Sequence, residues 1–122
     1  MDIPKIFESE YRFCCVVWTH QPVRTGELVK LCAQELDWKK STTFTVLRRL
    51  CERGILRNED SVVTACYTQA QIQRAESEEF LKRTFDGSLP RFIAAFADGG
   101  RLTAKEIDQL QQMIDAYKEE RP

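Results

Sequence analysis

Histidine, glycine and paired cysteines are scarce in this sequence. Its 122 residues include one histidine, His20, five glycines and four prolines. No C-x-x-C or C-x-C spacing joins any of the five cysteines, Cys14, Cys15, Cys32, Cys51 and Cys66. A closed zinc site needs four thiolate or imidazole ligands at set spacings, so no metal site is expected. An odd cysteine count is also a poor disulfide framework. One histidine and no glycine-rich phosphate loop leave little material for catalysis, so neither an enzyme nor a bound cofactor is expected. The longest apolar run, Phe13 to Trp18, is six residues, far short of the ~20 that span a bilayer. The N-terminal Met-Asp-Ile-Pro-Lys shows no basic stretch leading into an apolar one. No signal peptide is therefore expected, and the expected location is the cytoplasm. An excess of either charge is missing too: 18 basic residues stand against 19 acidic ones, a net of -1. That total disfavours nucleic acid unless the charges are unevenly placed.

The chain does carry helical periodicity. Residues 9 to 20 have Tyr11, Cys14, Val17 and Trp18 at three- and four-residue steps, with Ser9 available as a cap. Gln21-Pro22 ends that helix. A second begins near Thr25, with its hydroxyl as cap and Leu28, Leu31, Cys32 and Leu36 as its inward stripe. A third is expected from about Ser41 to Arg53, turned inward by Val46, Leu47 and Leu50 and stopped by Gly54. Residues 55 to 57 and 62 to 67 read as strands on either side of a turn over Asn58 to Ser61. Three helices and a hairpin make a winged helix, with the third helix as the recognition element. Cys14, Cys32 and Cys51 read as small buried hydrophobes, whereas Cys15 turns away from Cys14 and is the expected exposed thiol. A thiol switch through Cys15 lacks a basic neighbour to support it.

From Gln69 the pattern is helical throughout. One helix spans about Ala70 to Phe85, with Ile72, Ala75, Phe80 and Leu81 as its apolar positions, and a second covers Leu89 to Ala97. The last opens on Thr103-Ala104-Lys105-Glu106, a capping-box spacing, and carries Ile107, Leu110, Ile114 and Tyr117. The fold class expected is mainly α with a small β-hairpin. Residues 1–68 would form a winged helix-turn-helix domain and residues 69–122 a helical dimerisation domain. Three short helices enclose little core, yet they carry Phe80, Leu81, Phe85, Leu89, Phe92, Ile93, Phe96, Ile107, Leu110 and Ile114. Burial against a second copy of the chain is the favoured reading. Packing of the same stripe onto the N-terminal domain is the alternative.

The charges are uneven. Trp38 to Arg57 holds six basic residues and one acid, a local +5, while residues 69 to 122 hold eight basic and ten acidic ones, a local -2. Lys39, Lys40, Ser41, Thr42 and Thr43 cluster at the start of the third helix, where free amides also point outward. Such a cluster suits phosphate oxygens and base edges. Thr42, Thr45 and Arg49 recur at helical spacing, and Arg48 adds a further cation. A merely solvated basic helix is the plain alternative, as is a winged-helix protein-interaction adaptor that binds no DNA. Hydroxyls at the helix start, with few acids nearby, favour DNA.

A series of short motifs runs in one order along the chain. It begins Ser9-Glu10-Tyr11, Val16-Val17-Trp18, Asp37-Trp38 and Thr42-x-x-Thr45-x-Leu47-x-Arg49-Leu50-x-x-Arg53-Gly54. It continues through Tyr67-Thr68, Ser77-x-x-Phe80-Leu81, Phe85-x-Gly87-Ser88-Leu89 and Leu102-Thr103-x-x-Glu106-Ile107. This series resembles the penicillinase repressor family, which includes the methicillin-resistance repressors. The resemblance implies a homodimeric winged-helix repressor of transcription that binds a dyad-symmetric double-stranded DNA operator. It also implies recognition through Thr42, Thr45 and Arg49 and dimerisation through the C-terminal helices. Phe44 stands where the family commonly has a basic residue, and Lys39-Lys40-Ser41 replaces a Ser-Pro-Lys-like start. In β-lactam-responsive members a membrane sensor protease triggers cleavage at an Asn-Phe bond, and the matching place here is Ala95-Phe96. The C-x-C pairs of copper-responsive relatives have no counterpart, because no cysteine follows Cys66.

Overall fold

The apolar steps along the chain close into one core in its N-terminal part. The computed structural model describes residues 3–121. In chain order the elements are α1 (Glu8–His20), β1 (Val23–Arg24), α2 (Thr25–Leu36), α3 (Lys40–Glu52), β2 (Leu56–Glu59), β3 (Val62–Ala65), α4 (Gln69–Phe85), α5 (Leu89–Asp98) and α6 (Ala104–Glu120). Phe13, Cys14 and Val17 of α1 meet Leu28 and Cys32 of α2, Leu47 and Leu50 of α3, and Ile55, Leu56 and Val63 of the hairpin in this core. Trp38 stacks on Phe13 with ring centroids 5.6 Å apart. The Trp18 indole N–H donates to the Tyr67 carbonyl at 2.9 Å, tying α1 to the segment beyond β3.

The sheet has three antiparallel strands in the order β1-β3-β2. The pairing Glu59↔Val62 leaves only Asp60 and Ser61 to turn the hairpin. Both have positive φ, 52° and 63°, the primed-turn geometry that matches the twist of its strands. The first strand therefore runs further than residues 55 to 57, because Asn58 and Glu59 belong to the ladder rather than to the turn. The second stops at Ala65, leaving Cys66 and Tyr67 outside it. β1, which the sequence pattern did not mark, pairs Val23 with Val63 and Arg24 with Val62.

Helix ends differ from expectation in instructive ways. Ser9 is not the cap of α1: the helix begins one residue earlier, and the Glu10 carboxylate accepts the Phe7 N–H at 2.9 Å. Thr25 does not cap α2 either. It is the first helical residue, and its N–H donates to the Ser61 carbonyl at 2.9 Å. Gly54 stops α3 as expected. At φ +76° it adopts a left-handed conformation that glycine takes without penalty. Its N–H donates to the Cys51 carbonyl at 3.1 Å and the Ile55 N–H to the Leu50 carbonyl at 2.9 Å. Leu50 and Ile55 are both buried, supplying the apolar contact of a Schellman stop. The box that opens α6 forms in full, with Thr103 and Glu106 each accepting the other's N–H.

The chain forms two compact units, one reaching Ser77 and one starting at Glu78, so the division falls inside α4. Ile72, in the first turns of α4, is only 1% exposed and belongs to the core of the first unit. In the second unit Phe80, Phe85 and Phe92 pack edge to face, with centroids 5.6 to 5.8 Å apart. Even so, α5 and α6 contain no buried residue.

Candidate nucleic-acid interface

α3 lays Thr43, Leu47 and Leu50 against the core and leaves the rest of its circumference for other work. Its N-terminus opens without a side-chain cap, Lys39 occupying the cap position. The first-turn amides of such a helix lack intrahelical partners and carry the positive end of its dipole. Lys39, Lys40, Ser41 and Thr42 surround that end, and all four are exposed. Arg48 and Arg49 are exposed further along the helix, and Thr45 is half-buried. The Thr45 hydroxyl donates to the Ser41 carbonyl at 2.9 Å, so its remaining lone pairs can only accept. Arg48 lies 4.0 Å from Glu52, with both side chains about two-thirds exposed or more, and water weakens such a pair. Anions are the natural ligands of this surface.

One of the expected contact residues does not belong to it. Thr43 is 1% exposed, and its hydroxyl donates to the Lys39 carbonyl at 3.3 Å. Its counterpart across the helix pair is the Cys32 thiol. That thiol is raised to about 11 because burial outweighs the Thr43 hydrogen bond. Residues three before and four after a buried one lie on the same side of a helix, and Leu47 and Leu50 already fix that side. Thr43 packs α3 against α2 instead of facing a ligand.

The local +5 is also redistributed. Arg53, beyond the end of α3, pairs with the buried Glu10 of α1 at 2.6 Å and also donates to the Lys5 carbonyl. Burial alone would raise the Glu10 carboxyl. The Arg53 hydrogen bond, the Phe7 N–H and the charges of Arg53 and Arg49 outweigh it and hold the group below its ordinary range. Arg53 therefore anchors α3 to α1. On the hairpin Arg57 sits 3.6 Å from Glu59. The exposed positive charge on and just before α3 is that of Lys39, Lys40, Arg48 and Arg49. A residue that charge reading passed over also lies on α3: Phe44 is 38% exposed.

A family model described as penicillinase repressor matches residues 6–116. This chain belongs to the penicillinase repressor family. The penicillinase repressor of Bacillus licheniformis is 28% identical over 120 residues, covering 95% of this chain and 94% of that one. The Staphylococcus aureus penicillinase repressor is 21% identical over 115 residues, covering 91% of each. Among solved structures, the solution structure of the DNA-binding domain of the repressor BlaI matches 57% of this chain and 92% of its own. Its TM-score is 0.52 and its identity 28%. The family consists of transcriptional repressors, not enzymes.

In this member of the penicillinase repressor family the C-terminal residues expected at a dimer interface are all accessible. Phe80, Leu89, Phe96, Ile107 and Ile114 are exposed, while Leu81, Phe85, Phe92, Ile93 and Leu110 are half-buried. Phe92, Ile93, Phe96, Leu102, Leu110 and Met113 line a groove of about 750 Å³ between α5 and α6. Ala95 and Phe96 are both exposed near the end of α5. The thiols rank differently from expectation. Cys15 is half-buried, 4.0 Å from the Gln69 amide, and Cys51 is half-buried rather than buried. Cys66 is the exposed one. Among the described residues no helix is long and apolar enough to cross a membrane, and no cluster of acidic, histidine or cysteine side chains is arranged to hold a metal.

Proposed function

We propose that this chain is a homodimeric transcriptional repressor that binds a dyad-symmetric double-stranded DNA operator in the cytoplasm. The observation that carries this reading is the uncapped, exposed N-terminus of α3, ringed by Lys39, Lys40, Ser41 and Thr42 and followed by Arg48 and Arg49. α3 enters the major groove, with Thr42, Thr45 and Arg49 toward base edges and the lysines toward phosphates. A DNA-binding domain is also what the matching repressor structure represents. Two copies place two such helices in successive major grooves about 34 Å apart. Joining two weak half-site binders raises affinity through effective concentration. The exposed apolar faces of α5 and α6 support the second copy as their cover, and residues 69–122 as the dimerisation domain. Release follows loss of that dimer. A cut at the exposed Ala95-Phe96 bond, triggered by a membrane sensor protease, is the route in keeping with the family, with alanine in place of the asparagine.

The test is selection of DNA from a random library by the full chain, followed by gel-shift titration across salt. Affinity is expected to fall steeply, with a log–log slope of about −4 or steeper from the cations of two copies. Arg49→Ala is expected to weaken binding about tenfold or more while leaving the dimer intact. Binding indifferent to salt, or to Arg49, would overturn the reading in favour of a protein-interaction adaptor.

A further inference from the structure

Among the described residues of the first unit two large apolar side chains are exposed, Phe7 at 58% and Phe44 at 38%. Phe7 has company: Lys5 lies over its ring at 5.4 Å and the Arg53 guanidinium at 5.9 Å. Phe44 has no ring or cation contact among the described residues and is not part of the core cluster. It stands on the second turn of α3, one helical turn after Lys40 and Ser41 and one turn before Arg48, all three exposed. The exposed part of an aromatic ring among groups suited to phosphate costs solvation unless a ligand covers it.

The major groove of DNA offers one apolar feature, the 5-methyl group of thymine. The other groups that tell bases apart there are donors and acceptors, which a phenyl ring satisfies poorly. We propose that Phe44 is a specificity-determining residue that selects thymine in each operator half-site by packing on this methyl group. The inference rests on the DNA-binding reading above and adds to it a base identity that Thr42, Thr45 and Arg49 do not specify. Lys40 and Arg48, one turn to either side, hold flanking phosphates and fix the depth at which the ring meets the base edge.

The probe is DNA enriched from a random library by the full chain, with each thymine of the enriched site replaced in turn by uracil. That exchange removes the methyl and keeps every hydrogen-bonding group. One position per half-site is expected to weaken binding about fourfold when altered singly, and about fifteenfold when altered in both halves. In Phe44→Ala the same exchange is expected to have no effect, whereas Phe44→Leu retains the sensitivity. Circular dichroism and light scattering establish that each variant is folded and of unchanged oligomeric state. If Phe44→Ala does not fold, Phe44→Gln, expected to lose the sensitivity that Phe44→Leu retains, decides instead. Two results overturn the inference while leaving DNA binding intact. One is uracil binding as well as thymine at every position; the other is a sensitive position equally sensitive in Phe44→Ala. Failure of the unaltered chain to enrich any DNA would instead remove the repressor reading, and this inference with it.

Discussion

The two units of this chain use apolar side chains in opposite ways. Up to Ser77, most of the large ones turn inward: Phe13, Leu28, Leu50, Ile55 and Ile72 are each less than 2% exposed, with Phe7 and Phe44 the exceptions among the described residues. From Glu78 onward the phenylalanines touch one another, yet Leu89, Ile107, Met113, Ile114 and Tyr117 all remain more than half exposed. Three helices and a sheet surround a phenylalanine in the first unit; the end of α4 with α5 and α6 leaves no residue of α5 or α6 buried. The first unit buries its apolar side chains within one chain, whereas the second leaves its own exposed. The second copy proposed above would cover that exposed face.

The sharpest way to break this contrast is a charge on the exposed apolar face. Ile114→Lys combined with Leu110→Asp is expected to yield a monomer by sedimentation. Operator affinity should drop about a hundredfold, because linkage of half-sites is lost. The melting of the first unit should stay where it was. A dimer surviving the double substitution would place the cover elsewhere.

A smaller effect is expected inside the first unit. Glu10→Gln removes the charge that holds Arg53 and is expected to cost about 1–2 kcal/mol, reduced by the partial exposure of Arg53. The sign with pH follows from the lowered Glu10 group. Its contribution is present above the unfolded glutamate value and is lost as pH falls through the lower folded one. Denaturant titrations of the two proteins should therefore converge at acid pH; curves that stay parallel there would contradict the pairing.

The smallest effect concerns the thiols. Cys66 should react first with a maleimide in the folded protein, and Cys66→Ser should shift stability by no more than about 0.5 kcal/mol. Cys14 and Cys32, raised by burial to about 12 and about 11, should label only on unfolding. Labelling of Cys15 ahead of Cys66 would restore the ordering that helical spacing alone implies.

Much of the fold was legible because each helix carries its own evidence: an apolar step of three or four residues, the stop at Gly54, and the Thr103–Glu106 box. The errors fall where two segments far apart in the chain decide the outcome. Cys66 looked like part of a strand because it lies between the β-branched Val62 to Thr64 and the aromatic Tyr67. The ladder ends at Ala65, and the thiol emerges into solvent. Thr43 reads as one more hydroxyl in a polar cluster, until α2 packs across it. β1 is two residues long and has no periodicity of its own; β3 alone makes it a strand.

The net charge of -1 divides the work in the same way. The sequence by itself determined the helical register, the basic surplus near α3, and the apolar excess beyond Gln69, because these depend on residue order along the chain. Tertiary structure alone decided which cations are free. Arg53 is withdrawn to Glu10, 43 residues away in the chain, while Lys39, Lys40, Arg48 and Arg49 are left exposed. Only folding brings a carboxylate and a guanidinium from distant segments into one partly buried pair, because the loss of water around each is repaid by the other only at contact distance.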